Sequence, residues 1–300
     1  MTPETFDQFL PRTFTIETAL VCNLRCPECA IGGGMITRAK GLLPFEQYQI
    51  IADKMRPFAK YVYLHLWGEP LLNKEIFKMI RYTAGFAKTN ISTNALLLDE
   101  EKAEALITSG VTDVIISIDG MSQGAYEQYR VGGKVEDALA ALKLLQKTNA
   151  AHRNPVNLIP QFIVFKHNQH EKELFRQYCH SIGLNAFLKS PYIRTGSGKF
   201  EKSDYPEHWR QEYPDVAAQR EGMRECNNPK EVFTMLVDGS CVICCHDYSR
   251  ATCFGNIFKQ DVLEIWDSPA YRQYRWDILT GNASDFCVNH CMSYIQNKAA

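Results

Sequence analysis

No stretch of this 300-residue chain approaches the roughly 20 consecutive apolar residues that a membrane-spanning helix needs. Residues 1–10 contain no basic residue and no apolar core, so no secretory leader is expected. Neither sign of charge is in excess. The 33 Lys and Arg face 34 Asp and Glu, for a net charge of −1, and no Lys/Arg run stands out. That balance provides no electrostatic footprint for nucleic acid or an anionic membrane, and neither is expected as a partner. A cytoplasmic setting is expected, in which cysteines stay reduced and available to a metal. Cysteine itself is not scarce. Of 11, three lie between Cys22 and Cys29, Cys179 stands alone, and seven fall between Cys226 and Cys291. The 45% hydrophobic and 22% charged content is ordinary for a globular chain with a sizeable core.

The first group reads Cys22-x3-Cys26-x2-Cys29 and follows a short apolar run at 14–21. Thiolates at this spacing on one tight loop can converge on a polynuclear centre. Three are one short of the four cysteines that usually close a [4Fe–4S] cube, and an iron without a protein ligand is free to bind something else. Half of a zinc site is the competing reading, and it requires a second pair elsewhere.

Between the two cysteine groups, strand and helix patterns alternate. Strands are expected at 14–20, 61–66, 89–92, 114–118, 157–165 and 186–189, and helices at 44–55, 74–82, 99–109, 135–147 and 171–181. Pro44, Asp99 and Asn168 serve as start signals, and Gly110 and Gly183 follow last turns. Such alternation predicts a parallel α/β sheet of right-handed βαβ units. Six strands suit a partial barrel better than a closed eightfold one. A polar cluster follows each of the first five strands: the cysteine loop, Trp67-Gly68-Glu69-Pro70, Ser92-Thr93-Asn94, Ser117-Ile118-Asp119-Gly120 and Lys166-His167-Asn168. In parallel folds these ends share one rim, where active sites lie. Each cluster also has a plain reading: Asp119-Gly120 as a turn, Ser92 to Asn94 as a loop cap, and Asn168 as a helix N-cap.

The cysteine motif after strand one, with a Gly-Glu-Pro loop after strand two, resembles the radical SAM superfamily over roughly residues 13–190. The resemblance implies a partial (β/α)6 barrel in which Cys22, Cys26 and Cys29 hold a [4Fe–4S] cluster. The open iron of that cluster would chelate S-adenosylmethionine. Gly68 and Glu69 match the family's GGE motif, whose carboxylate pairs with the methionyl ammonium through charge-assisted hydrogen bonds. Ser92, Thr93, Asn94, Ser117 and Asp119 fall where the family contacts the ribose and methionyl groups. Arg130 resembles an arginine used against the cofactor carboxylate, with a solvated helix-end arginine as its plain alternative. Two positions depart from the pattern. Glu28 replaces the usual aromatic before the third cysteine, and Trp67 replaces the first Gly of GGE.

The second cysteine group resembles the SPASM and Twitch extensions that many radical SAM enzymes carry. Cys226, Gly239 and Cys244 follow the spacing of their opening, and a hairpin through Asp238-Gly239 would return Cys244 to the side of Cys226. Cys287 and Cys291 could complete one auxiliary [4Fe–4S] cluster, although their x3 spacing departs from the commoner x2. A zinc ribbon is the competing reading, and Cys241, Cys245 and Cys253 have no assigned role. The expected organisation is a barrel at 1–194, a linker or cover at 195–222, and a small cysteine-rich α+β extension at 223–300.

The resemblance implies reductive cleavage of S-adenosylmethionine to a 5′-deoxyadenosyl radical, and hydrogen abstraction from a substrate. Oxidation of the substrate radical by the auxiliary cluster would follow, with a flavodoxin- or ferredoxin-like one-electron donor as partner. A small-molecule dehydrogenase is the leading expectation. A peptide or protein maturase is the second, disfavoured because only about a dozen residues precede strand one, too few for a fused leader-recognition domain. A non-catalytic two-cluster electron carrier is the third. His65, Gln161, Lys189, Tyr192 and Arg194 are expected near the substrate.

Overall fold

The computed structural model describes residues 2–191, 226, 228–282 and 284–290. A short helix α1 (Pro3–Asp7) leads into six strands: β1 (Thr13–Ile16), β2 (Tyr61–Tyr63), β3 (Lys88–Thr93), β4 (Asp113–Ser117), β5 (Asn157–Ile163) and β6 (Phe187–Lys189). Each is parallel to and hydrogen-bonded with the next. Between them run α2 (Phe45–Met55), α3 (Ile76–Ala84), α4 (Glu100–Ile107), α5 (Gln123–Tyr129), α6 (Val135–Ala151) and α7 (Lys172–Ser181). The sheet does not close on itself, so the partial parallel barrel expected from the alternation is the architecture found.

Local signals account for most boundaries. The Asp99 carboxylate accepts the Lys102 amide at 2.8 Å and starts α4, and the extended backbone of Pro44 starts α2. Helix α6 runs past its expected end at 147. Asn149 stays in the helix because its side chain receives the Val156 amide and donates to the Val156 carbonyl. Helix α5 was not anticipated; Gly124 interrupts its periodicity, and its start rests on the Ser122 hydroxyl accepting the Ala125 amide. Asn168 does not cap a helix with its side chain. Its amide oxygen accepts the Phe165 amide, and its nitrogen donates to the Asp119 and Ile163 carbonyls, a brace between the ends of β4 and β5.

The cysteine-rich extension was expected as a separate small unit, but its first strand continues the barrel sheet. After α8 (Asn228–Glu231), β7 (Val232–Met235) pairs parallel with β1, with Phe14 opposite Phe233. Strands β8 (Ser240–Val242) and β9 (Gly255–Asn256) follow antiparallel, giving one nine-stranded sheet in the order β6-β5-β4-β3-β2-β1-β7-β8-β9. The expected hairpin joins β7 to β8, with Gly239 at φ 80°, a conformation glycine adopts without steric cost. Helices α9 (Val262–Trp266), α10 (Pro269–Leu279) and α11 (Asp285–His290) cover this end. Arg275 is buried among them. It donates to the Pro229 and Trp266 carbonyls and lies 3.6 Å over the Trp266 ring. Burial holds its pKa down to about 10. Among the described residues no helix is long and apolar enough to cross a membrane.

Phe233 is fully buried and touches the rings of Phe14 and Trp266. Phe233→Ala is expected to cost about 3–5 kcal/mol. Because β7 belongs to the barrel sheet, urea unfolding of this variant, followed by tryptophan fluorescence and circular dichroism, should show coincident transitions at lower urea. Loss of the extension in a separate step would count against a shared sheet.

Candidate active site and auxiliary cysteine site

The polar rim closes around a cavity of about 520 Å³ lined by Cys22, Cys26 and Cys29 together with Gly68, Glu69, Ser92, Thr93, Asn94, Ser117 and Arg130. Two glycines make the walls possible. A Cβ on Gly32 would stand 2.4 Å from the Cys26 carbonyl oxygen, and one on Gly68 would stand 2.1 Å from that of Ala19. The chain after Cys29 therefore folds back beneath the cysteine loop, and the Gly-Glu-Pro loop presses on the end of β1. The Glu69 amide donates to the Val21 carbonyl at 2.8 Å, fixing the carboxylate beside the cysteines. Sequence reading did not single out Gly32, since close backbone approach leaves no mark beyond the residue type.

Glu69 is buried, and its carboxylate accepts from the Thr93 hydroxyl at 2.7 Å, the Asn94 amide at 2.8 Å and the Leu71 amide at 3.1 Å. All three donors are neutral. Burial still pushes the carboxyl above its ordinary pKa, so the anion is short of positive charge. Ionised carboxylates offer about four acceptor sites, which leaves room for a cationic ligand from the cavity.

Asp119 was expected to touch the cofactor, and the structure sets it back from the cavity. It is fully buried; one oxygen takes the Ile163 amide and the other takes Arg130 Nε, both at 2.6 Å. Arg130 reaches the cavity from the end of α5, with Nη1 3.8 Å from Cys26 Sγ. Its side chain is only 11% exposed, which disposes of the solvated helix-end reading. Asp119 thus aims Arg130 from behind. Among the cysteines, burial pushes the Cys26 thiol up to about 12, with Arg130 opposing the shift. The Cys22 sulfur accepts the Leu24 amide at 3.4 Å. Donors directed at buried sulfurs suit thiolates whose protons are displaced by a metal.

Of the other anticipated residues, His65 and Lys189 line the cavity, Gln161 is buried off its wall, and Tyr192 and Arg194 lie outside the described residues. Burial lowers the His65 pKa to about 4, so its ring is neutral near pH 7. Glu28 and Trp67, the two departures from the motif, both line the cavity. Cys245 and His246 join them from the C-terminal segment. They were missed because nothing local marks a loop that arrives from 180 residues away.

That loop is also half of the second site. Cys244, next to Cys245, lies within electrostatic reach of both Cys226 and Cys287, and Cys291 lies outside the described residues. Burial holds the Cys244 thiol well above its usual pKa. Cys241 is buried with its thiol toward the Gly239 carbonyl, and Cys253 is exposed. No three His, Cys, Asp or Glu side chains among the described residues close on a point as a single metal ion needs. A polynuclear centre spreads its thiolates over separate irons, so its ligands need not do so.

The profile of the radical SAM superfamily matches residues 16–162, and that of an iron–sulfur cluster-binding domain, SPASM, matches residues 226–292. The chain belongs to the radical SAM superfamily. Membership carries S-adenosylmethionine and a [4Fe–4S] cluster with the first unit and iron–sulfur binding with the second. The chain is similar to an AdoMet-dependent heme synthase of Methanosarcina barkeri (strain Fusaro / DSM 804), at 29% identity over 46% of this chain and 40% of the relative. It is similar also to the mycofactocin maturase MftC of Mycobacterium ulcerans (strain Agy99), at 30% identity over 48% of this chain and 40% of the relative. It thus spans less than half the length of these curated relatives. In fold it resembles Streptococcus suis SuiB bound to precursor peptide SuiA (TM-score 0.71, 17% identity, covering 91% of this chain and 68% of SuiB). It also resembles BtrN in complex with AdoMet and 2-DOIA (TM-score 0.55, 16% identity, 90% and 88%).

One buried ion pair of the radical SAM unit reaches across to the SPASM unit. Arg38 donates both terminal nitrogens to Glu17, at 2.8 and 3.0 Å, and Nε to the Tyr248 carbonyl at 2.8 Å. Glu17 also takes the Val237 amide at 3.0 Å. Tyr248 in turn meets the Trp67 ring edge-on at 5.8 Å. Removing one partner of a buried pair typically costs about 3–5 kcal/mol. Arg38→Met is expected to lose that much in urea unfolding, and Glu17→Gln/Arg38→Met less, because the stranded charge is gone. Equal losses in the two variants would argue against an ion-pair origin.

Proposed function

We propose that the chain is a radical SAM oxidoreductase. It would bind S-adenosylmethionine and a [4Fe–4S] cluster at Cys22, Cys26 and Cys29, and one auxiliary [4Fe–4S] cluster at Cys226, Cys244, Cys287 and Cys291. The observation that carries this reading is the shared wall: Cys244 belongs to the auxiliary group while the adjoining Cys245 and His246 line the cofactor cavity. When bound, these groups supply reductive cleavage of the sulfonium to an adenosyl radical and an acceptor for one substrate electron. The protein provides orientation and exclusion of solvent. Glu69 holds the methionyl ammonium, Arg130 the cofactor carboxylate, and Asp119 fixes Arg130. Ser92, Thr93, Asn94 and Ser117 contact the ribose and methionyl groups, and Gly68 admits the loop to the end of β1. His65, neutral and on the wall, accepts a hydrogen bond from substrate. A flavodoxin- or ferredoxin-like protein donates the first electron.

The substrate is a small molecule in the first reading, supported by the fold shared with BtrN in complex with AdoMet and 2-DOIA. A peptide is the second reading, supported by the similarity to MftC and to SuiB with its precursor peptide. A peptide would need to present only one side chain to this cavity.

Two outcomes are expected. Replacing Cys22, Cys26 and Cys29 together with Ala removes about half the iron, because one of two clusters is lost, and abolishes 5′-deoxyadenosine release. Unchanged iron would remove these cysteines from the ligand set. Glu69→Gln replaces an anion with a neutral amide that also turns donors against donors. It should weaken S-adenosylmethionine binding at least about tenfold, the equivalent of ~1.4 kcal/mol, with iron content intact. Equilibrium dialysis reads this, and unaltered affinity would exclude the ammonium role.

A further inference from the structure

Helix α10 presents two tyrosines one turn apart, Tyr271 and Tyr274, on the side facing the auxiliary cysteines. Tyr271 is 1% exposed, and its ring stacks on Phe254 at 4.4 Å with an interplanar angle of 3°. Its hydroxyl is buried and has no hydrogen-bond partner among the described residues. The surrounding rings are Phe233, Phe254 and Trp266, a shell in which phenylalanine would fit as well. A buried hydroxyl without an acceptor is costly and uncommon, so its presence points to an acceptor beyond the side chains. The groups within its electrostatic reach are Arg275, Cys241 and Cys244. Arg275 offers only donors, and neither sulfur forms a hydrogen bond with the hydroxyl. Cys244 is in turn within electrostatic reach of Cys226 and Cys287.

Tyr274 also meets Phe254, edge-on at 5.2 Å. Its hydroxyl lies 3.9 Å from Cys287 Sγ and also meets the Ser284 hydroxyl. Ser284 in turn accepts the Cys287 amide at 3.3 Å. One phenol of the helix thus meets a cysteine of the auxiliary group, and the other, one turn earlier, lies within electrostatic reach of a second.

We propose that Tyr271 and Tyr274 donate hydrogen bonds to the sulfurs of the auxiliary iron–sulfur cluster and hold its reduction potential up. Reduction adds one electron to the cluster and concentrates negative charge on its sulfurs. Donors directed at those sulfurs stabilise the reduced state more than the oxidised one. No bond is broken and no proton leaves the phenols. The two tyrosines are positioning residues that make the cluster a readier acceptor, and the inference rests on the auxiliary cluster proposed above.

The test uses the full chain with Cys22, Cys26 and Cys29 replaced by Ala, reconstituted anaerobically with ferrous iron and sulfide so that only the auxiliary cluster forms. Tyr271→Phe, Tyr274→Phe and the double variant are titrated with dithionite, with mediators, under EPR. Iron content should stay that of the parent. The reduction equilibrium should fall about tenfold for Tyr271→Phe, about 59 mV for a one-electron couple, and further in the double variant. Before reconstitution, Tyr271→Phe should melt no lower than the parent, because only an unpaired hydroxyl has gone; a merely structural role would lower it. An unchanged potential in the fully loaded variants overturns the proposal. So does a folded variant that holds no iron, because the phenols would then assemble the cluster rather than tune it. A parent that takes up no iron defeats the auxiliary-cluster reading instead, and the two failures are distinct.

Discussion

Strand β1 is hydrogen-bonded along both edges, to β2 on one side and β7 on the other, and both cysteine sites take their positions from it. Its C-terminal end launches the loop of Cys22, Cys26 and Cys29. Beyond its last paired residue, the Glu17 amide still donates to the Met235 carbonyl at 2.9 Å. The hairpin that carries Cys244 therefore starts from the same backbone that carries the first cysteines. A strand buried between two partners has no freedom to slip register, because a shift of one residue would turn Phe14 and Ile16 to the opposite face of the sheet and lose their packing.

Three buried carboxylates show how the charge of the site is arranged. Glu17 is neutralised by a bidentate arginine and joins the two units. Asp119 is neutralised by Arg130, which it holds at the cavity. Glu69 has only hydroxyl and amide donors. Buried charge is tolerated when paired and costly otherwise, and of these three carboxylates the unmatched one is the one that lines the cavity.

The alternating pattern exposed the order and type of the six barrel strands, because parallel βαβ units repeat a local signal that survives without tertiary context. Edges were less legible. Strand β1 ends at Ile16 rather than at 20 because Thr18 turns its hydroxyl to the Leu64 carbonyl and leaves the ladder. Helix α5 was hidden by Gly124. At the site, Glu69 is legible as a residue type after a strand end and Arg130 only through the resemblance, while Asp119, expected at the cofactor, lies buried behind Arg130. A carboxylate that orders an arginine and one that meets a ligand look the same in sequence.

What the sequence determined by itself was the chemistry available: the two cysteine groups, the Gly-Glu-Pro loop, the parallel alternation and the family they belong to. Those signals are local, carried by spacing along the chain. The tertiary structure decided what that chemistry is joined to. Only folding brings β7 alongside β1, Cys245 and His246 onto the wall of the cavity that Glu69 lines, and the tyrosines of α10 near Cys244 and Cys287. These contacts span up to 220 residues and are set by burial and strand pairing, which spacing along the chain does not encode.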